Sequence, residues 1–291
     1  MPEPPSTART TLVTAAALIG FAANSLLCRA ALGAGAIDAW SFTAMRIGSG
    51  ALVLGVIARA TRARNAARPV SGAGNFASAL ALWGYAAAFS LAYLRLPAGI
   101  GALVLFASVQ ATMIGWSAFR GARPSARELC GFALAFAGLV VLTLPGATLP
   151  DPLGLSLMAL AGVAWGVYSL RGRASTAPLA DTSDNFARSI PLALGALLFA
   201  LAFTSLHASL RGLLLASASG ALASGLGYSL WYLALPQLGA VRAALVQLLV
   251  PVLTAAAGII MLDERPTLRL LLAGPLILCG VGFAVLGRRA R

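Results

Sequence analysis

Chemistry at an active site needs nucleophiles, acids, bases or metal ligands, and this chain keeps almost all of them out of its apolar runs. It has one histidine, His207, and three cysteines, Cys28, Cys130 and Cys279, with no C-x-x-C spacing. That leaves too few ligands for zinc or a di-metal centre, and no disulfide framework. The eight acids are Glu3, Asp38, Glu128, Asp151, Asp181, Asp184, Asp263 and Glu264, and all fall at loops or run ends. There is no G-x-S-x-G, no H-E-x-x-H and no carboxylate pair within a run. The sequence reads as a non-enzyme with no cofactor and no metal. A proton-driven pump normally uses a carboxylate or histidine inside the membrane. No such group falls inside an apolar run here, unless a shift of the run boundaries brings in Glu128 or Asp38.

What the runs do offer is recognition. Phe21, Asn24, Ser25 and Cys28 recur at i, i+3, i+4 and i+7, so they share one helix face. Trp165, Tyr168 and Ser169 form a second face. Trp83, Ala86, Ala87 and Ser90 form a third, Ser108, Thr112 and Gly115 a fourth, and Tyr228, Ser229 and Tyr232 a fifth. Gln247 and Pro251 lie one turn before Thr254. Aromatic walls with hydrogen-bonding tips suit a small-molecule cavity. The substrate-binding candidates are therefore Asn24, Trp83, Ser108, Trp165, Tyr168, Tyr228, Tyr232 and Gln247. The competing reading makes the aromatics interfacial anchors and the small polar residues interhelical bonds; Trp40 and Trp116, near run ends, fit the anchor role. Arg46, Arg188 and Arg242 fall within apolar runs. They either hold a carboxylate or phosphate of the substrate, or snorkel and bond helix-end carbonyls.

These faces need elements to carry them. Of 291 residues, 59% are hydrophobic and only 10% charged, against about 25% in soluble domains. The apolar residues form ten runs, at about 11–29, 39–58, 75–94, 97–119, 128–145, 153–171, 188–206, 212–234, 239–261 and 269–287. Breaks such as "PGATLPDPLG" and "LPQLGA" separate them. The expected fold is an all-α integral membrane protein of ten transmembrane helices. The first run is too long for the core of a cleaved signal and is followed at once by others, so it reads as an uncleaved span. The net charge of +13 does not imply nucleic acid, because the basic residues, all arginine, sit between spans rather than in a soluble basic domain. The partners implied are a small-molecule substrate and lipid.

Arginine placement orients the chain. With the N-terminus inside, thirteen arginines fall on the cytoplasmic side (Arg9, Arg59, Arg62, Arg64, Arg68, Arg120, Arg123, Arg127, Arg171, Arg173, Arg288, Arg289 and Arg291) and five outside (Arg29, Arg95, Arg211, Arg265 and Arg269). Both termini are then cytoplasmic. A shift of 142 residues lays "RPSAR" (123–127) on "RPTLR" (265–269), and Arg29 and Arg46 on Arg171 and Arg188. Chance would give roughly half of one arginine coincidence where there are four. The chain divides into a tail (1–10), a five-span repeat (11–145), a linker (146–152), a second five-span repeat (153–287) and a tail (288–291). Five is odd, so the two repeats run in opposite senses, an architecture suited to alternating access. Asp263 and Glu264 precede the second "RP" hinge, where the first copy has Gly121 and Ala122. Two roles suggest themselves: pairing with the neighbouring Arg265 and Arg269, or capping the helix that follows.

The stretch "PVLTAAAGIIMLDERPTLRLLLAGPLILCGVGF" resembles the ending of EamA-type members of the drug/metabolite transporter superfamily: a proline-bearing span, an acidic hinge and a glycine-rich last span. The ten spans, the duplication and Arg46 in the second span match as well. The first copy departs from the pattern, with Val109 where the proline would stand and Ala122 at the hinge glutamate. The resemblance implies a small-molecule carrier of the bacterial inner membrane, usually an exporter, and within the superfamily the likeness leans to amino-acid exporters of the YddG type. The expected function is export of amino acids, aromatic or neutral. The alternatives are a carrier of organic anions or a multidrug exporter and, more remotely, an intramembrane enzyme.

Overall fold

The computed structural model describes residues 7–64, 74–121, 125–143, 150–172, 175 and 177–286. Its helices are α1 (Thr7–Leu32), α2 (Ala39–Arg64), α3 (Phe76–Tyr93), α4 (Ala98–Phe119), α5 (Ala126–Thr143), α6 (Pro152–Gly172), α7 (Pro178–Leu201), α8 (Leu210–Ala218), α9 (Gly227–Gln247), α10 (Leu249–Met261) and α11 (Leu268–Leu286), with a π-helical segment, Ser219–Leu226, joining α8 to α9. Apolar runs of this length adopt helix because lipid offers no partner for backbone N–H and C=O groups. Among the described residues, six helical stretches are long and apolar enough to cross a membrane: Ala8–Leu32, Ala39–Thr61, Phe76–Tyr93, Pro152–Gly172, Leu179–Leu201 and Leu210–Trp231. The apolar stretches Ala98–Met113, Leu129–Gly138, Leu249–Met261 and Leu268–Phe283 are shorter.

Polar residues mark where helices begin. Asn75 Oδ1 accepts from Ser78 N at the start of α3, and Ser209 Oγ accepts from Gly212 N at the start of α8. Asp151 accepts from Gly154 N at α6, and Thr267 from Leu270 N at α11. Asp38 starts α2, accepting from Trp40 N at 3.0 Å and Ser41 N at 2.9 Å through one oxygen, and from His207 N at 3.0 Å through the other. That second oxygen ties the α1–α2 turn to the segment before α8, beside an isolated antiparallel bridge between Ile37 and Ala208.

Two expected boundaries change. α7 begins at Pro178 rather than near 188, with proline at its first position and Asp181 in its first turn. Both favour a helix start, and they outweigh the polar look of the segment. The expected turn in "LPQLGA" is absent, and α9 runs helically through it to Gln247, with the break at Leu248. The hexapeptide has no Ser, Thr, Asn or Asp to cap a new helix, and continuing the helix satisfies the backbone instead.

Small residues set the closest crossings. A Cβ at Gly162 would lie 2.5 Å from Ser108 Cβ, and one at Gly166 2.8 Å from Thr112 Cβ, so α6 lies directly against α4. A Cβ at Gly220, in the π segment, would lie 2.1 Å from Arg46 O. This contact presses the π segment onto α2 at the one fully buried arginine among the described residues.

The acidic hinge differs from both expected roles. Glu264 grips the start of α4, accepting from Ala98 N at 3.0 Å and 2.9 Å through its two oxygens, and pairs with Arg29 Nε at 3.2 Å. Arg29 also donates to the Tyr93 carbonyl at 3.0 Å. One carboxylate thus joins the α10–α11 turn, the end of α1 and the α3–α4 turn. It can do so because Asp263 takes a left-handed backbone conformation, φ 53°, which turns the next side chain inward. Arg95 pairs with Asp151 at the same end. At the opposite end Arg171 donates to Asn75 Oδ1 and Ser78 Oγ, and Asn185 Oδ1 accepts from Asn75 N.

Candidate functional site

The cavity between these two ends is lined by Phe21, Asn24, Ser25, Tyr85, Phe89, Leu105, Phe106, Trp165, Tyr228 and Gln247. Asn24 lies eight residues before the end of α1, and Tyr85 eight before the end of α3. At 1.5 Å per residue both are roughly 12 Å from the helix ends. The cavity therefore sits deep in the bundle.

Behind the lining residues Asn24 and Tyr85 lies a hydrogen-bonded network with a cation at its centre. Arg46, on α2, is 2% exposed. Its Nη2 donates to Tyr85 OH at 3.0 Å and its Nε to Ser224 Oγ at 3.4 Å. The guanidinium carbon lies 5.0 Å from the ring centroids of both Tyr85 and Phe89, within cation–π range. Nη1 has no partner. Asn24 Nδ2 also donates to Tyr85 OH, at 3.2 Å, and Asn24 Oδ1 accepts from Ser219 Oγ at 2.7 Å. Ser219 and Ser224 are five residues apart. At 100° per residue an α-helix would turn them well away from each other. The wider i→i+5 turn of the π segment brings them onto a common side.

The aromatic wall is continuous. Trp165 lies 4.9 Å from Tyr85, 5.1 Å from Tyr228 and 5.5 Å from Tyr168 by ring centroids. Phe21 packs edge-on to Tyr228 and Trp231. At the Glu264 end Phe89 meets Tyr93 edge-to-face at 4.7 Å, and Tyr93 OH donates to Ala98 O. The open volume is about 30 Å³, room for a water or two and not for an organic solute. The structure is a closed state.

Among the expected site residues, Asn24, Trp165, Tyr228 and Gln247 line the cavity. Tyr168 is buried behind Trp165. Trp83 and Ser108 are not on the wall. Trp83 points round α3 from Tyr85, its indole N–H without a partner, and Ser108 is taken up by the crossing with Gly162. Arg46 is at the site, while Arg188 is exposed on α7. Tyr232 and Arg242 belong to α9, but their side chains lie outside the described residues. Sequence reasoning missed Tyr85, Phe89, Ser219 and Ser224. An α3 face at Tyr85, Phe89 and Tyr93, spaced i, i+4 and i+8, was legible as an aromatic stripe; the π segment was not. No described acid lines the cavity, and no group of three or more described His, Cys, Asp or Glu residues could hold a metal.

A bundle of apolar helices closed around a deep cavity with a polar floor defines a polytopic membrane protein for small solutes. Residues 152–286 match the EamA-like transporter family. The chain is 49% identical to a Pseudomonas aeruginosa (strain PAO1) protein described as uncharacterized protein PA1977, across 97% of this chain and 98% of that one. A solved structure described only as "Crystal structure of protein" shares the fold with TM-score 0.66 at 21% identity, covering 97% of this chain and 98% of that one. The second half of the chain thus carries an EamA family domain, which places it in the drug/metabolite transporter superfamily.

Proposed function

We propose that the protein is a secondary transporter that exports small metabolites, namely amino acids, aromatic or neutral, across the bacterial inner membrane by alternating access, in the manner of the YddG-type exporters. The central aromatic cavity carries this reading. Trp165, Tyr85, Tyr228 and Phe21 offer apolar faces to a side chain, and Asn24 and Gln247 offer both donors and acceptors to an amino-acid head group. The small volume supports a cycle in which the walls part to admit substrate from one side and then from the other. The arginine distribution supports ten spans in two inverted five-span repeats, with both termini cytoplasmic and the Glu264 end outside. The described acids lie away from the cavity, which supports facilitated rather than proton-driven movement.

A second reading, a carrier of organic anions, is favoured by the unpartnered Nη1 of Arg46, which can hold a carboxylate. The experiment is uptake of a labelled panel of amino acids, phosphosugars and aromatic cations by reconstituted liposomes. Saturable uptake of aromatic amino acids, surviving an uncoupler, is expected. Uptake of phosphosugars or cations alone would overturn the amino-acid reading. For the topology, single cysteines are placed in a background lacking Cys28, Cys130 and Cys279, and a cysteine at Ser71 is expected to resist labelling from outside.

A further inference from the structure

The charge held against the cavity-lining Tyr85 and Phe89 bears on how the carrier returns after delivering its cargo. Arg46 is a permanent cation, 2% exposed, one of whose terminal nitrogens has no partner. The groups that do touch it are neutral: Tyr85 OH, Ser224 Oγ and two aromatic rings. None of the described carboxylates touches it: Glu264 is engaged by Arg29 and Ala98 N, Asp151 by Arg95, Asp38 by three backbone N–H groups and Asp181 by Ser175, while Asp184 lies on α7 against Gly74. Among the described residues, the buried positive charge of Arg46 therefore has no counter-charge and is held out of water.

From this we infer that the carrier is an exchanger of carboxylates: an anion beside Arg46 is what lets the cavity close readily, so the protein crosses between its two open states faster loaded than empty. The inference rests on the transport reading above and adds its mode. Water that enters an open cavity solvates the guanidinium. Closing the cavity strips that water away, and removing one charge from water without a partner is costly. A bound carboxylate meets the cost by supplying the opposite charge and accepting hydrogen bonds from Nη1. The phenolic and serine hydroxyls and the stacked rings offset part of the cost when the site is empty, so empty return is slow rather than forbidden. A net monoanion neutralises the site completely. A zwitterion supplies the same carboxylate but leaves its ammonium to the faces of Tyr85, Trp165 and Tyr228 and to the Asn24 and Gln247 oxygens.

The test uses the full-length protein in liposomes at neutral pH, with labelled phenyllactate and labelled phenylalanine as probes and protein-free liposomes as the background. The lumen holds either unlabelled phenyllactate or only a bulky sulfonate buffer. Uptake of labelled phenyllactate is expected to be about tenfold faster into loaded vesicles, equivalent to about 1.4 kcal/mol between the two return barriers. Arg46→Lys should retain the acceleration in part, and Arg46→Met should lose it. Equal wild-type rates into loaded and empty vesicles would overturn exchange while leaving transport intact, and this comparison needs no variant to fold. Acceleration that persists in Arg46→Met would overturn the assignment to Arg46. No uptake of either probe above background in either lumen would instead defeat the transport reading on which the inference stands.

Discussion

Glu264 gives the sharpest test of how the closed state is held. Replacing it with Ala removes the acceptor that caps α4 at Ala98 N, a loss of about 1 kcal/mol for an N-terminal cap. It also leaves Arg29 bonded to the Tyr93 carbonyl alone. A hydrogen bond to a charged group contributes about 1.5–3 kcal/mol. With 25% of the Arg29 side chain and 14% of that of Glu264 exposed, water restores part of it. The total comes to about 2–3 kcal/mol, or a fall of roughly 4–12 °C in the midpoint for a chain of this size. Thermal unfolding of detergent-solubilised protein, followed by tryptophan fluorescence, reads it directly. Arg29→Ala should reproduce most of the loss, and the double replacement should cost less than the sum of the two singles. Arg265→Ala and Asp263→Gly should shift the midpoint little, since Arg265 is exposed and glycine accepts the positive φ of position 263 without strain. If Arg265→Ala costs as much as Arg29→Ala, the acids pair with their sequence neighbours and the long-range latch is wrong.

Gly220→Ala drives a methyl group to 2.1 Å from Arg46 O; the π segment must move off α2, and a loss of about 3 kcal/mol or more in thermal stability is expected, whereas Gly84→Ala, with nothing within 4 Å of the added carbon, should be neutral or slightly stabilising in the same assay. Trp165→Ala should change the ratio of phenylalanine to alanine uptake, and Tyr168→Ala, one layer behind the wall, should change it less; an unchanged ratio in Trp165→Ala removes that residue from the site. Burial pushes the Asp38 carboxyl up, but its bonds from the Ser41, His207 and Trp40 backbone and the Ser41 hydroxyl outweigh it and hold the group below the usual carboxylate range. A lowered folded-state value means stability that is present above the unfolded value of about 3.9 and is lost as pH falls through the folded one, so Asp38→Asn should flatten the acid side of a plot of unfolding midpoint against pH, below about pH 4.

The contrast between what was legible in the sequence and what was not lies in the range of the interactions. Asn24 and Gln247 could be placed at the cavity because a carboxamide in an apolar run must find polar company, and Trp165 because its helix turns a glycine pair toward α4 and leaves the indole elsewhere to go. α3 defeated the same reasoning. It carries Trp83 and Tyr85 two residues apart and so on different sides, and each side looks equally suited to a ligand. What separates them is Arg46, 39 residues from Tyr85 in sequence, which finds its strongest neutral partner in that phenol. Ser219 and Ser224 were invisible for a related reason: their convergence depends on a π segment, and that segment is seated on α2 through Gly220. Glu264 was misread most instructively. Its nearest cations in the chain are Arg265 and Arg269, yet it bonds to groups 235 and 166 positions away. An exposed pair at the hinge would have been weak in water. A half-buried carboxylate facing a helix start and a half-buried arginine together gains from both the dipole and the charge, and the left-handed turn at Asp263 directs it there. At the second hinge the carboxylate of Glu264 stands where the ends of α1 and α3 and the start of α4 converge.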